Sequence, residues 1–428
     1  MKKYLKNILT LGGSKTARDT YVLFSANVLS SILNFVITWI VARSLSISDF
    51  GVYSAAINLM MFIMRVADFG ITVGMINFIS YYWSKNLKIK FGEFTKAALI
   101  IKLISVLIVV AVVAVIEYTT SLNLLASTDN EYLYLVAVIT IIYLLWNFIQ
   151  RVLQSQRKFI QSSLVDLSLH VTRAVLIAVF FMLGVLTLRF SLITYLWGFL
   201  IVIILARYFL GTDILKTRPN VKVFTKLIRF SGWLGVSKIM SSITSKSDIL
   251  MLAPAAGAYA TGLYSVPSKL ISFVILLCTS YSYVLIPRIA AFKNKTKELN
   301  YLKKSMSVIM AMVAGVMLWI FIANPFVTFF FGEKYLDSVP IFRILCIGII
   351  PYIISIPANM IVIYAMKKTK FVGIISIIQT FIVLFLNYTF IQNFSSYGPA
   401  YTSIVSNIFF ASLMWFAVFK YYLKKENT

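Results

Sequence analysis

The chain is short of the residues that reaction chemistry is usually built from. It has a single histidine, His170, and only two cysteines, Cys278 and Cys346, set far apart inside apolar stretches. Neither a CxxC nor a Cys/His ligand spacing occurs, which argues against a zinc site or a disulfide framework, and both cysteines read as free packing residues. Acidic residues number 14 against 40 Lys and Arg. Asp129 and Glu131 come nearest to a carboxylate pair, and an acidic patch between apolar runs reads as a solvated loop. A Gly-rich phosphate loop, a nucleophile elbow and a Walker motif are all missing. Neither enzyme catalysis nor ATP-driven work is expected, and no cofactor or metal is implied. The first residues also lack a short apolar core followed by a small-residue cleavage site, so a removable signal peptide is not expected.

What the chain has in excess is apolar surface. Its 428 residues are 60% hydrophobic with a mean hydropathy of +0.89, whereas soluble domains are roughly 45–50% apolar. Runs such as 97–116, 132–149 and 371–390 are close to the roughly 20 residues that cross a hydrocarbon core. The composition therefore predicts an all-α polytopic membrane protein. Reading by apolar run and breaker gives twelve spans: 21–41, 50–78, 97–116, 132–149, 171–188 and 190–210, then 227–252, 263–286, 306–331, 341–365, 371–392 and 398–422.

A formal net charge of +26 would suit a nucleic-acid binder, but the placement of the charges argues against that partner. Five Lys/Arg precede the first span, four lie in 85–96, three in 151–158, six in 207–229, six in 288–304, three in 367–370 and three in 420–425, thirty of the 40. Only Arg43, Arg189, Lys334 and Arg343 fall on the opposite side, together with Glu117, Asp129, Glu131, Glu333 and Asp337. By the positive-inside rule both termini are expected in the cytoplasm. The longest outward segment, about 117–131, leaves no room for a folded extracytoplasmic domain.

The stretch 39–59, WIVARSLSISDFGVYSAAINL, returns 211 positions later as LMLAPAAGAYATGLYSVPSKL at 250–270. Each copy opens its second apolar run on Gly-x-Tyr-Ser, at 51–54 and 262–265, and the same offset sets Arg18 on Arg229. Six spans on either side make two parallel repeats, expected as an N-terminal lobe at 1–215 and a C-terminal lobe at 216–428.

Six basic residues remain inside the spans, Arg65, Lys102, Arg173, Lys238, Lys246 and Lys269, along with Asp68 and Asp248. An ionisable group at that depth is costly unless it meets water, a partner or a ligand, so each is a functional candidate. Arg65 and Asp68 are three apart on one helical face and able to pair. Lys238 lies mid-span on the seventh helix; Lys246 and Asp248 approach its outer end. Lys269 lies about two turns into the eighth. Lys102, Arg173 and His170 lie nearer the basic ends of their spans. Snorkelling is the expected account of the first two, and an interfacial hydrogen bond that of His170.

The segments ARSLSISDFGVYSAA (42–56), ADFGIT (67–72), SKSDILMLAPAAGAYATGLYSVPSKL (245–270), LIPRIA (285–290), FFGEKY (330–335) and YGPAYTSIVSN (397–407), in that order, carry a resemblance. Over essentially its whole length the chain resembles the Wzx-type flippases of O-antigen, capsule and exopolysaccharide repeat units, in the multidrug/oligosaccharidyl-lipid/polysaccharide (MOP) superfamily. The resemblance implies two six-helix bundles forming a V around a central cavity lined by helices one, two, seven and eight, working by alternating access. It implies a lipid-linked oligosaccharide as substrate, carried from the cytoplasmic to the outer leaflet of a bacterial inner membrane, with membrane lipids and polysaccharide polymerase machinery as partners. On this reading Arg18, Arg65, Lys238 and Lys269 bind the pyrophosphate and any acidic sugars of an undecaprenyl-pyrophosphate-linked unit, while Asp68 and Asp248 serve ion coupling or pairing. Two alternatives stay open: a cation-coupled multidrug exporter of the same superfamily, and a flippase for another polyprenyl-linked envelope precursor. Six basic groups against two acidic favour an anionic substrate over a cationic drug. A membrane glycosyltransferase or polymerase would carry a long outward loop, and none is present.

Overall fold

Apolar runs become helices here because a backbone N–H or C=O left unpaired in hydrocarbon costs several kcal/mol, and a helix pairs each one locally. The computed structural model describes residues 15–120, 123–127, 129–210, 217–218, 220–291 and 295–423. Among these there is no strand. The basic residues Lys2, Lys3, Lys6, Lys216, Lys293, Lys424 and Lys425, counted above, lie outside the described residues.

The elements in order are α1 (Lys15–Ser44), α2 (Ile47–Asp68), α3 (Ile71–Ser84), α4 (Lys88–Thr120), α5 (Glu131–Ser155), α6 (Phe159–Met182), α7 (Leu188–Leu210), α8 (Val221–Ala291) and α9 (Lys295–Phe331). A single 3-10 turn, Glu333–Tyr335, leads to α10 (Ser338–Met360), which ends in a π-helical turn, Ile361–Ala365. Then come α11 (Thr369–Phe394), a second 3-10 turn at Ser395–Tyr397, and α12 (Gly398–Leu423). Ten stretches among the described residues are long and apolar enough to cross a membrane. Two of them, Gly235–Ala290 and Thr369–Tyr422, run to 56 and 54 residues, more than twice what one crossing needs. The first is broken at Gly257, whose φ of 81° no helix contains, and the second at Ser395–Tyr397. Split at these breaks, the ten become twelve.

Several boundaries differ from the sequence reading, and the reasons are local. The second span is not one helix over 50–78. It stops at Asp68, turns through Phe69 and Gly70 at φ 39° and 74°, and resumes as α3 to Ser84, because hydropathy does not register backbone sign. The fifth span begins at Phe159 rather than 171, since its first turns carry a polar stripe that apolar counting passes over. It is separated from α7 by a turn containing Gly184 at φ 70°, not by Arg189 alone. Arg189 instead sits in the first turn of α7 and pairs with Glu131 at 2.9 Å. The fourth helix starts nine residues before the apolar run, at Lys88, so its first turns are basic.

The chain forms two compact units: 1–45, 59–122 and 129–239, and then 46–58, 123–128 and 240–428. In the first, one apolar core joins α3, α4 and the start of α8 through Ile71, Met75, Ala98 and Leu227. Another joins α5, α6 and α7 through Trp146, Leu153, Val165 and Phe199. In the second, the turn into α2 is capped by Ser46, whose Oγ accepts the Asp49 N–H at 3.0 Å and donates to its carboxylate at 2.7 Å, an N-cap. There the repeated motifs meet. A methyl group on Gly51 would overlap the carbonyl of Ala258, and one on Gly262 would overlap the carbonyl of Ile47. Residues 47 and 258, like 51 and 262, are 211 positions apart, so the contact is reciprocal under the offset of the repeat. Small residues are what let two helix backbones come this close.

Candidate functional site

The break after α2 is held in place by glycine. A Cβ on Gly70 would lie 2.8 Å from both the Gly235 nitrogen and the Ser231 carbonyl oxygen, and one on Gly235 would lie 2.5 Å from the Phe69 carbonyl oxygen. Backbone therefore rests on backbone, and α8 passes against the first residues beyond Asp68. Lys238 follows Gly235 by three positions, on the same helical face. That spacing delivers its ammonium to Asp68, Nζ to Oδ2 at 3.2 Å.

The two oxygens of Asp68 are held differently. Oδ1 receives Lys102 Nζ at 2.9 Å, the Thr72 backbone N–H at 3.3 Å, and the Thr72 hydroxyl. Lys102 also donates to Thr72 Oγ1 at 2.7 Å. Among the hydrogen bonds and ion pairs described here, Oδ2 has Lys238. Exposure grades the same way, with the Lys102 side chain 2% exposed, Asp68 16% and Lys238 42%. A buried ion pair offsets its desolvation only when its remaining hydrogen-bonding capacity is met, and on the Oδ1 side it is. The cluster contains two cations and one anion, and its excess charge sits on the more exposed lysine. All four residues belong to the first unit.

The remaining predicted residues distribute as follows. Arg65 is exposed on α2, three residues before Asp68 on the same face. Arg18 is in the first turn of α1, and its side chain lies outside the described residues. In the second unit Lys246 donates to the buried Asn58 Oδ1 at 2.8 Å. Asp248 accepts from Tyr264 at 2.9 Å and from the Ile249 N–H at 2.8 Å, and Lys269 is half-buried in the later arm of α8.

Two basic residues expected to snorkel do not. Lys102 is 14 residues into α4 and Arg173 is 14 residues into α6, roughly 21 Å from the start of each helix, beyond the reach of either side chain. Lys102 is instead bound by Asp68. Arg173, at 1% exposure, lays its guanidinium 3.4 Å from the centroid of the Tyr195 ring, a favourable placement of a desolvated cation.

A further polar cluster, unseen in the sequence, joins α1, α5 and α6. Asp166 accepts from Ser30 at 2.5 Å and from Gln150 at 2.9 Å, and Asn34 Nδ2 lies 3.1 Å from His170 Nδ1. His170 does hydrogen-bond as expected, but it is buried in the bundle rather than interfacial. The signal is present: Ser163, Asp166, His170 and Arg173 recur three or four apart, one stripe on one helix.

Solved structures of related shape place the fold. The lipid II flippase MurJ in an inward closed conformation matches with a TM-score of 0.71 at 16% identity, over 93% of this chain and 87% of that one. An inward-facing MATE multidrug-resistance transporter of the MOP superfamily matches at 0.64 and 16%, over 93% and 96%. A MOP superfamily transporter from Pyrococcus furiosus matches at 0.57 and 16%, over 95% of each. The chain therefore shares the fold of these transporters. Residues 16–293, well over half the chain, match the family described as "Polysaccharide biosynthesis protein", and the chain belongs to that family. A Shigella flexneri protein described as "Putative O-antigen transporter" is 24% identical over 203 residues, 46% of this chain and 48% of that protein. This alignment spans about half the length of that relative.

Proposed function

We propose that the chain is a flippase that moves a polyprenyl-pyrophosphate-linked oligosaccharide from the cytoplasmic to the outer leaflet by alternating access, with the two repeats, 1–215 and 216–428, as its moving parts. The observation that carries this reading is the Asp68–Lys102–Lys238 cluster, a net cation set among apolar helices, its excess charge on the more exposed lysine, in a chain of the polysaccharide biosynthesis family. Such a cation suits a phosphate-bearing headgroup, since charge-assisted hydrogen bonds to phosphate are among the strong ones. It lets the headgroup keep polar partners while the apolar tail stays in lipid. Arg65 stands beside the cluster, and Lys269 and Arg18 are proposed as further contacts for phosphate or acidic sugar. In a bacterial inner membrane with both termini cytoplasmic, an inside-negative potential itself favours outward movement of an anion, by about 2.3 kcal/mol per charge per 100 mV.

The test is a strain lacking this protein, read for surface glycan and for lipid-linked intermediates. Loss of glycan with undecaprenyl-linked units accumulating on the cytoplasmic face supports the proposal. Normal glycan with raised sensitivity to cationic drugs would replace it with drug export.

A further inference from the structure

We infer that Lys238 is an exchangeable partner: it rests on Asp68 when no ligand is present and passes to a phosphate-type anion when one arrives, while Lys102 keeps Asp68 neutralised. The inference rests on the proposed function and adds to it how the cation is guarded between substrates.

The asymmetry of the carboxylate carries the argument. Oδ1 is held on its buried side by Lys102 and by both donors of Thr72. Lys102 is tied in turn to the Thr72 oxygen, so these three residues form a closed ring that does not depend on Lys238. Oδ2 meets Lys238 at the longer distance of 3.2 Å, and Lys238 is also the most exposed of the three charges. The bond that can open is therefore the one to Lys238. A lone Asp68–Lys238 pair could not open cheaply, because losing one partner of a buried pair strands the other. With Lys102 in place, the departure of Lys238 leaves Asp68 still paired and hydrogen-bonded.

The arrangement also selects among anions. A ligand has to compete with a carboxylate that already shares its charge with Lys102. A multiply charged phosphate or pyrophosphate can do so, while chloride, with one charge and no fork of acceptor oxygens, competes poorly. Lys102 is thus a positioning residue: it touches no ligand, but sets how firmly Asp68 holds Lys238. Discrimination comes from this built-in rival as much as from attraction.

The experiment measures binding of inorganic pyrophosphate, with chloride as competitor, to the full chain in lipid nanodiscs by calorimetry. Lys102→Met leaves Asp68 wholly to Lys238 and is expected to weaken pyrophosphate binding about fivefold or more. The double variant Asp68→Asn/Lys102→Met removes the rival, and is expected to bind about tenfold tighter than the unmodified chain and to let chloride compete. Damage to the fold would lower affinity in both, so opposite signs are the signature of exchange. Lys238→Gln in the double variant should abolish the gain. If the double variant binds no tighter while Lys238→Gln still weakens binding, exchange is wrong and the functional reading stands. If Lys238→Gln changes nothing in either background, or the unmodified chain and every variant fail to bind pyrophosphate, the cation site of the functional reading falls with it.

Discussion

Asp68 meets Lys238, 170 positions away, through the carboxylate oxygen that Lys102 and Thr72 do not use. A helix break, a glycine contact and a fully buried lysine all converge on that one bond, and each can be perturbed separately.

Charge balance comes first. Asp68→Asn strands Lys102 at 2% exposure and should cost about 3–5 kcal/mol. Adding Lys102→Met removes the stranded charge and should recover most of the loss. The exposed Arg189–Glu131 pair is the comparison, since Glu131→Gln should cost at most about 1 kcal/mol. Thermal midpoints of the purified variants decide it; a double variant no more stable than Asp68→Asn would contradict the pairing.

Position comes next. Gly235→Ala puts a methyl group 2.5 Å from the Phe69 carbonyl oxygen, and α8 must shift, carrying Lys238 with it. Under the proposed function, transport should fall about tenfold. Gly232→Ala, one turn earlier on the same helix with nothing within 4 Å of its added methyl, should leave transport unchanged. Equal effects from the two would show that the contact does not set Lys238.

The reciprocal glycines give a coupled pair. Gly51→Ala and Gly262→Ala each drive a methyl group into a backbone carbonyl, a cost of about 1–3 kcal/mol. Because either substitution separates the same two helix starts, the double variant should cost less than the sum of the singles. Additive losses in thermal unfolding would mean that the two contacts yield independently.

Asp166 should matter to stability whatever its role in transport. Asp166→Ala leaves the Ser30 hydroxyl and the Gln150 amide without their acceptor in a buried cluster, and should destabilise by about 2–4 kcal/mol. Ser30→Ala removes one donor and should cost roughly a third of that. A smaller loss for Asp166→Ala than for Ser30→Ala would overturn the assignment of Asp166 as the centre of the cluster.

What could be read in advance follows from what hydropathy measures. Twelve apolar spans and the 211-residue repeat are properties of side chains along the chain, and they stand out in the sequence. The breaks at Gly70 and Gly257 depend on backbone sign, which an apolar count does not contain. Helical spacing offers Arg65 as a partner for Asp68, because proximity along one helix is what a sequence displays. Lys102 and Lys238 come from 34 and 170 positions away, the second brought in by a glycine contact with no local signature. Lys102 and Arg173 read as headgroup residues in the sequence because their helices begin well before the apolar runs do. The Asp166 stripe escapes an apolar count for the same reason.

Ile47 meeting Gly262 while Gly51 meets Ala258 is the kind of contact two copies of one chain make across a twofold axis. Its persistence within a single chain sets a limit on sequence drift. A side chain gained at either glycine has to be answered by a retreat of backbone in the other copy of the repeat, 207 positions away for Gly51 and 215 for Gly262.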